Sequence, residues 1–124
     1  MNLLAIDYGQ KNIGLAWVDT DMGVVLPYGK FETRNWKSEI VTLIENEKIH
    51  KVLIGLPLGM DGEENVNTKR VRAFGDALES LAGVPIEYAD ERFTSQQADA
   101  MGGSVSRDEK SAMVILQSYL ERRK

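Results

Sequence analysis

The order of strand-like and helix-like patterns along the chain constrains its fold more than any other feature. Residues 3–6 and 13–18 are apolar runs separated by a segment of turn residues, which predicts a β-hairpin. Residues 24–26 and 29–32 predict a third antiparallel strand that is interrupted by Pro27. The first quarter of the chain is therefore expected to form a meander of three strands.

The rest of the chain alternates between helix and strand patterns. Residues 52–54 and 85–89 predict two further strands, and residues 94–101 predict a short helix. Three antiparallel strands followed by helix, strand, helix, strand and helix predict an α/β fold with a mixed five-stranded sheet. The apolar faces of the other predicted helices are Trp36, Ile40, Leu43 and Ile44; Val71, Phe74, Leu78 and Leu81; and Ala112, Ile115, Leu116 and Tyr119.

Length and composition limit the class of protein. A chain of 124 residues predicts one domain over residues 1–124, because this length holds a single hydrophobic core. Residues 1–7 have no basic leader and their apolar run ends at an acid, so neither a signal peptide nor a membrane span is expected. The absence of cysteine excludes disulfides and thiolate metal sites and favours the cytoplasm. The net charge of −4 argues against a protein that coats nucleic acid, but it permits a local basic track.

Carboxylates occur where predicted strands end, which is where ligands of such sheets gather. Clusters of oxygen ligands without cysteine suit Mg²⁺ or Mn²⁺. Two such ions can activate a water molecule and stabilise the leaving oxygen of a phosphodiester, so the pattern indicates hydrolytic strand cleavage. The candidate acids are Asp7, Asp61, Asp90, Glu91 and Asp108.

Asp7 is the strongest of these candidates. It follows four apolar residues, where an ionised group without a partner is costly, so we favour a functional role over a turn cap or an ion pair with Lys11. The glycines at positions 9 and 14 permit a hairpin turn and a close backbone approach. By contrast, Asp108 opens a helix, where the macrodipole favours an acid whatever the function.

The remaining acids have structural alternatives that the sequence leaves open. Asp90 could be a turn residue, and Glu91 could form a salt bridge with Arg92. Asp61 precedes Gly62, a pair that is typical of a tight turn, so we favour a structural role for this carboxylate.

A basic cluster lies early in the second predicted helix. Lys69, Arg70 and Arg72 could contact a phosphate backbone, although a solvated helix face gives the same pattern. His50, the single histidine, is expected at the surface because no spacing specifies a catalytic triad with it.

Four sequence blocks resemble the YqgF, or RuvX, family of Holliday junction resolvases and nucleases of ribosomal RNA precursors, which is related to RuvC and ribonuclease H. The blocks occur in the family order and cover nearly the whole chain. They are LAIDYGQKNIGLA at 4–16, VLIGLPLGMDG at 52–62, YADERFTS at 88–95, and the segment from Asp108 through ILQSYL at 115–120.

This resemblance implies a ribonuclease H-like fold and a Mg²⁺ or Mn²⁺ site in which Asp7, Glu91 and Asp108 are the catalytic acids and metal ligands. It also implies a nucleic-acid substrate, with processing of the small-subunit ribosomal RNA precursor ranked before resolution of branched DNA. A monomer or a homodimer would fit. The candidate nucleic-acid contacts are Lys11, Lys69, Arg70, Arg72 and Arg92.

The chain departs from the family pattern at several places. Asn12 stands where the family commonly has arginine, the loop before Asp108 is short, and residues 55–57 lack the acid that RuvC has after its fourth strand, so Glu91 must supply that role. Two other hypotheses remain. The first block is also similar to that of sugar kinases and actin-like ATPases, and the chain could be a nucleic-acid-binding module without catalysis.

Overall fold

The computed structural model describes residues 1–59, 61–90 and 105–122. The elements are β1 (Asn2–Tyr8), β2 (Asn12–Asp19), β3 (Val25–Glu32), α1 (Trp36–Asn46), β4 (Lys51–Leu56), α2 (Val66–Ala82), β5 (Ile86–Asp90) and α3 (Arg107–Arg122). The strands form a five-stranded sheet in the order β3-β2-β1-β4-β5, in which β1 to β3 are antiparallel while β4 and β5 run parallel to β1. This arrangement confirms the predicted mixed sheet.

Helices cover both faces of the sheet. Leu4 and Ile6 of β1 belong to the core formed with α1 and α2, whereas Leu3 and Ala5 belong to the core formed with α3. All four are fully buried, and each buried large aliphatic side chain stabilises the fold by about 1.5–3 kcal/mol. Because side chains alternate along a strand, the end of β1 presents successive residues to opposite faces.

The third strand differs from its prediction at Pro27. The strand runs through this proline without ending, and the register shifts from Leu15 opposite Gly29 to Ala16 opposite Pro27, which leaves Tyr28 as an extra residue. Since β3 is the edge strand, a proline there removes no hydrogen bond from the interior of the sheet.

The second helix also differs from its prediction on one face. Leu78 is fully buried, but Leu81 is 55% exposed, and Ala82 packs against the core instead. The buried stripe therefore advances by four residues after Leu78 and not by three. The helix ends as predicted, because Gly83 adopts the left-handed conformation with φ of 68°.

His50 is exposed, as predicted, and its Nδ1 accepts a hydrogen bond from the backbone N–H of Asn2 at 3.0 Å. The helix predicted over 94–101 lies outside the described residues. Within the described part of the chain, no helix combines the length and the apolar character that crossing a membrane requires.

Candidate active site

Asp7 lies at the carboxyl end of the central strand, on the face covered by α3. It continues the alternation of Leu3 and Ala5, whose side chains pack against that helix. Its partner across the antiparallel pair is Gly14 of β2. Residues directly opposite each other in such a pair share a face, so the position of Gly14 adjoins that of the Asp7 carboxylate.

Gly14 allows the start of α3 to approach the sheet. A Cβ built at this glycine would lie 2.6 Å from the Cβ of Asp108 and closer still to the Asp108 backbone. Carbon atoms that are not bonded prefer a separation of about 3.5–4.0 Å, so a larger residue at position 14 would displace the helix. The close approach predicted for this glycine is therefore present, and it packs the first turn of α3 against the strand position opposite Asp7.

The first turn of α3 is held by its own cap. The Ser106 hydroxyl accepts a hydrogen bond from the backbone N–H of Glu109 at 3.2 Å and donates one to the Glu109 carboxylate at 2.8 Å. Farther along, Ala112 and Ile115 are buried against the sheet. Glu109 thus serves the helix cap, while Asp108 is the acid of this turn that contacts the sheet at Gly14.

Asp61 has the structural role that its sequence indicates. Its Oδ1 accepts a hydrogen bond from the backbone N–H of Glu63 at 2.9 Å, and Gly62, with φ of 84°, donates to the carbonyl of Gly59 at 2.8 Å. The carboxylate therefore closes a tight turn before α2.

The other two acids lie at or beyond the end of β5. Asp90 is exposed and pairs in register with Leu56, two strands from Asp7, or about 10 Å across the sheet. Glu91 lies outside the described residues, so its role as the third ligand remains a prediction. Within residues 1–59, 61–90 and 105–122, no group of three metal-ligating side chains forms. Of the three acids predicted as metal ligands, Asp7 and Asp108 lie among the described residues, and carboxylate oxygens are donors of the kind that Mg²⁺ or Mn²⁺ prefers.

The predicted basic contacts are in different environments. Lys11 is exposed in the turn between β1 and β2, and Lys69 and Arg70 are exposed on α2. Arg92 lies outside the described residues, so its contact also remains a prediction.

Arg72 forms a two-point ion pair with Glu64. Its Nε and Nη2 atoms each donate to a carboxylate oxygen at 2.9 Å, and its guanidinium lies 5.2 Å from the centre of the Tyr88 ring. Hydrogen bonding to the guanidinium lowers the pKa of the Glu64 carboxyl. A phosphate would therefore have to compete with Glu64 for this arginine.

A cleft adjoins the end of β1 on the face opposite Asp7. It has a volume of about 290 Å³, and Arg70 is the one lining residue that the sequence identified as a candidate contact for nucleic acid. The signal that could have found it is the spacing of Asn67 and Arg70, since residues three apart on a helix share a face. The lining residues are Tyr8, Gly9, Gln10, Pro57, Asn67, Arg70 and Val71.

Comparison with known proteins decides the family. Residues 1–122 match the family model of RuvX, described as Holliday junction resolvase. The chain belongs to the RuvX family. A relative from Maridesulfovibrio salexigens, named as a candidate pre-16S rRNA nuclease, is 39% identical over 98% of this chain and 99% of its own length. The predicted family and enzyme class, a nuclease that hydrolyses phosphodiester bonds, are confirmed.

Solved structures confirm the ribonuclease H-like fold. RuvC of T. thermophilus, in complex with a Holliday junction substrate, matches with a TM-score of 0.68 and 15% identity, over 99% of this chain and 96% of that one. The fowlpox virus Holliday junction resolvase matches with a TM-score of 0.60 and 13% identity, over 98% of this chain and 99% of that one. The RuvX family match favours a nuclease over the kinase and ATPase interpretation.

Proposed function

We propose that the chain is a metal-dependent endonuclease that processes the precursor of small-subunit ribosomal RNA in the cytoplasm. The observation that carries the proposal is the contact at Gly14, which joins two acids from opposite ends of the sequence on one face of the sheet. The choice of RNA is supported by the relative named for pre-16S rRNA, which matches the chain over nearly its full length.

Asp7 and Asp108 are the described residues that would hold the ion, together with Glu91. With these residues holding a divalent ion, the site would gain a Lewis acid that lowers the pKa of the attacking water and offsets negative charge on the leaving oxygen. In the hydrolysis, the water oxygen forms a bond to phosphorus, one P–O ester bond breaks, and a proton from the water ends on the leaving oxygen. Asp7 is half-buried at the carboxyl end of β1, which is the end of a parallel strand where ligands of such sheets bind.

A second candidate is the resolution of branched DNA. The description of the matching family as Holliday junction resolvase supports it. Both functions use the same acids and the same hydrolysis, and they differ only in the nucleic acid that binds.

The test is cleavage of labelled precursor ribosomal RNA and of a four-way DNA junction by purified protein with Mg²⁺, with Mn²⁺ or with EDTA. We expect cleavage of the RNA with either metal and none with EDTA. Asp7→Asn and Asp108→Asn should each lower the rate by about 10³-fold, because several kcal/mol of charge stabilisation would be lost.

The matched control is Asp61→Asn. It makes the same chemical change, and an asparagine oxygen can still accept the hydrogen bond from Glu63 in the turn. This variant should cleave at nearly the wild-type rate. Preference for the junction would select the second candidate, and equal cleavage by wild type and Asp7→Asn would contradict both. Binding without cleavage would support the non-catalytic module.

A further inference from the structure

We propose that the cleft lined by Tyr8, Gln10, Pro57, Asn67 and Arg70 is a subsite that binds one nucleotide of the substrate strand next to the cleaved bond. This inference rests on the proposed nuclease function and adds a binding site to it. Asp7 and Tyr8 are consecutive residues whose side chains face opposite sides of the sheet. A strand that crosses the carboxyl edge at Asp7 therefore reaches the cleft directly beside it.

One wall of the cleft is the turn after β1, and a buried threonine holds it. Thr33 is 8% exposed, its hydroxyl donates to the carbonyl of Gly9 at 2.7 Å, and its backbone N–H donates to the carbonyl of Lys11 at 2.8 Å. These bonds fix the backbone on both sides of Gln10. The wall is consequently preformed.

The opposite wall is held in the same way by a second buried threonine. Thr68 of α2 is fully buried, and its hydroxyl donates to the carbonyl of Pro57 at 2.6 Å. The same hydroxyl accepts a hydrogen bond from the backbone N–H of Asn65 at 3.1 Å. Two of the three buried polar residues in the described part of the chain thus fix the walls of this cleft. Preformed walls lower the ordering cost of binding.

The lining of the cleft combines an aromatic and a charged side chain. Tyr8 lines the cleft, and its ring lies 4.5 Å from that of Phe74. Nη1 of Arg70 donates to Oδ1 of Asn67 at 3.3 Å. A cleft lined by a guanidinium, a tyrosine and a proline suits a phosphate with its attached sugar or base. The volume of about 290 Å³ fits one nucleotide and not a duplex.

Arg70 is the cationic side chain among the lining residues of this cleft, so it is the group that would pair with the charge of a phosphate. The backbone N–H groups of Asn67 and Thr68 already donate to the side chain of Asn65, so the first turn of α2 keeps them for its own cap. Arg72, two residues along the same helix, is engaged by Glu64. Arg70 contacts the neutral amide of Asn67, whereas Arg72 is paired with a carboxylate, so Arg70 is the arginine more available to a phosphate.

The test measures binding without cleavage. All variants carry Asp7→Asn, and the probe is a fluorescein-labelled single-stranded RNA whose anisotropy is followed with Mg²⁺, with a four-way DNA junction as a second arm. Arg70→Gln should weaken RNA binding about tenfold, the range for a hydrogen bond to a charged group. It should also lower the salt-dependence slope by about 0.7, as expected for one phosphate contact on a single strand.

Two further variants separate direct contact from general charge. Lys48→Gln removes an exposed cation before the start of β4, at the opposite edge of the sheet, and should change binding by less than about twofold because salt screens distant charges. Arg70→Lys keeps the charge but loses the planar pair of donors. Its affinity for RNA should therefore lie between that of the protein with Asp7→Asn alone and that of Arg70→Gln.

A larger loss of RNA affinity in Arg70→Gln than in Lys48→Gln supports the subsite. If the affinity falls for the RNA but not for the four-way junction, single-stranded RNA is identified as the ligand. Equal loss in these two variants, no loss with Arg70→Gln, or no RNA binding at all overturns it. The nuclease function is judged separately, by wild-type cleavage. If the wild type cleaves nothing but Arg70→Gln selectively weakens RNA binding, the nuclease proposal is overturned and the cleft is kept as a binding site for a nucleotide.

Discussion

Two glycines allow close approach between a helix and the sheet, one on each face, and they differ in what they meet. A Cβ on Gly14 of β2 would collide with the backbone of Asp108, whereas a Cβ on Gly75 of α2 would collide with the phenol of Tyr88. A phenol can turn away from an added methyl group. A backbone can move only if the whole helix start moves with it.

This difference explains why only one of the contacts can define a site. The contact at Gly14 fixes the separation of two chain segments, and each segment carries an acid. Catalytic groups must be held within about 0.5 Å of a productive geometry, which a contact between backbones supports better than a contact with a mobile ring. The contact at Gly75 fills space beside α2, and it leaves the Tyr88 ring more freedom to move.

Among changes at these two helix–sheet contacts, the largest effect is expected from Gly14→Ala. The added methyl group should push the start of α3 away from β2, lower the free energy of unfolding by about 2 kcal/mol, and lower the cleavage rate by about 10²-fold. Urea unfolding and the rate of cleavage per folded molecule measure the two effects. A wild-type rate in a folded Gly14→Ala protein would break the comparison, because the acids would then tolerate a displaced helix.

Gly75→Ala should have a smaller effect. Alanine is favoured over glycine in a helix by about 1 kcal/mol, which offsets much of the collision with the Tyr88 phenol. We expect the free energy of unfolding to change by less than about 1 kcal/mol, with little change in the cleavage rate. The same two measurements apply.

Tyr88→Phe provides the control for Gly75→Ala. It removes the hydroxyl that lies nearest to the added methyl group, so the double variant should be more stable than the sum of the single changes predicts, by about 1 kcal/mol. Absence of this coupling would show that the phenol does not limit the space at Gly75. No such relief exists for Gly14→Ala, because the Asp108 backbone remains in any substitution.

The smallest expected effect is a pH dependence from Tyr88 itself. Burial, with a smaller contribution from the negative charge of Asp76, raises the pKa of the Tyr88 phenol above its ordinary value of 10.0. A folded state with the higher pKa holds the proton more tightly, so this contribution is fully present below pH 10 and is lost as pH rises through the folded pKa. Thermal unfolding from pH 9 to pH 11 measures it.

Tyr28 contributes to the same pH dependence, because burial, with a smaller contribution from Glu47, raises its pKa as well. Tyr88→Phe should therefore flatten the alkaline loss of stability in part. A loss of equal size in wild type and Tyr88→Phe would contradict the role given to this phenol.

Much of the fold follows from local patterns in the sequence. The hairpin of residues 13–18 with the first strand and the helix end at Gly83 both occur where alternation and turn chemistry predict them. The two differences, at Pro27 and Leu81, arise where tertiary neighbours determine the structure. Because β3 lies at the edge of the sheet, the strand can continue through Pro27. In the last turn of α2, Ala82 packs against the core and Leu81 does not.

The site was less accessible to sequence reasoning than the fold. Asp7 stood out because a charge after four apolar residues is costly, but Asp108 carried no such signal, since an acid in a first helical turn is favoured in any protein. The resemblance to the RuvX family is what favoured a functional role for Asp108. The cleft was missed because residues from three separate segments form its walls.

The sequence by itself determined where strands, helices and turns form and that an acid ends the central strand, because each of these depends on neighbours within a few residues. Only the tertiary structure decided that the start of α3 packs against Gly14, the residue opposite Asp7, and that Arg72 forms an ion pair with Glu64. The first of these contacts joins Gly14 and Asp108, which are 94 positions apart. Such contacts depend on how the helices pack against the sheet, and no local pattern carries that information.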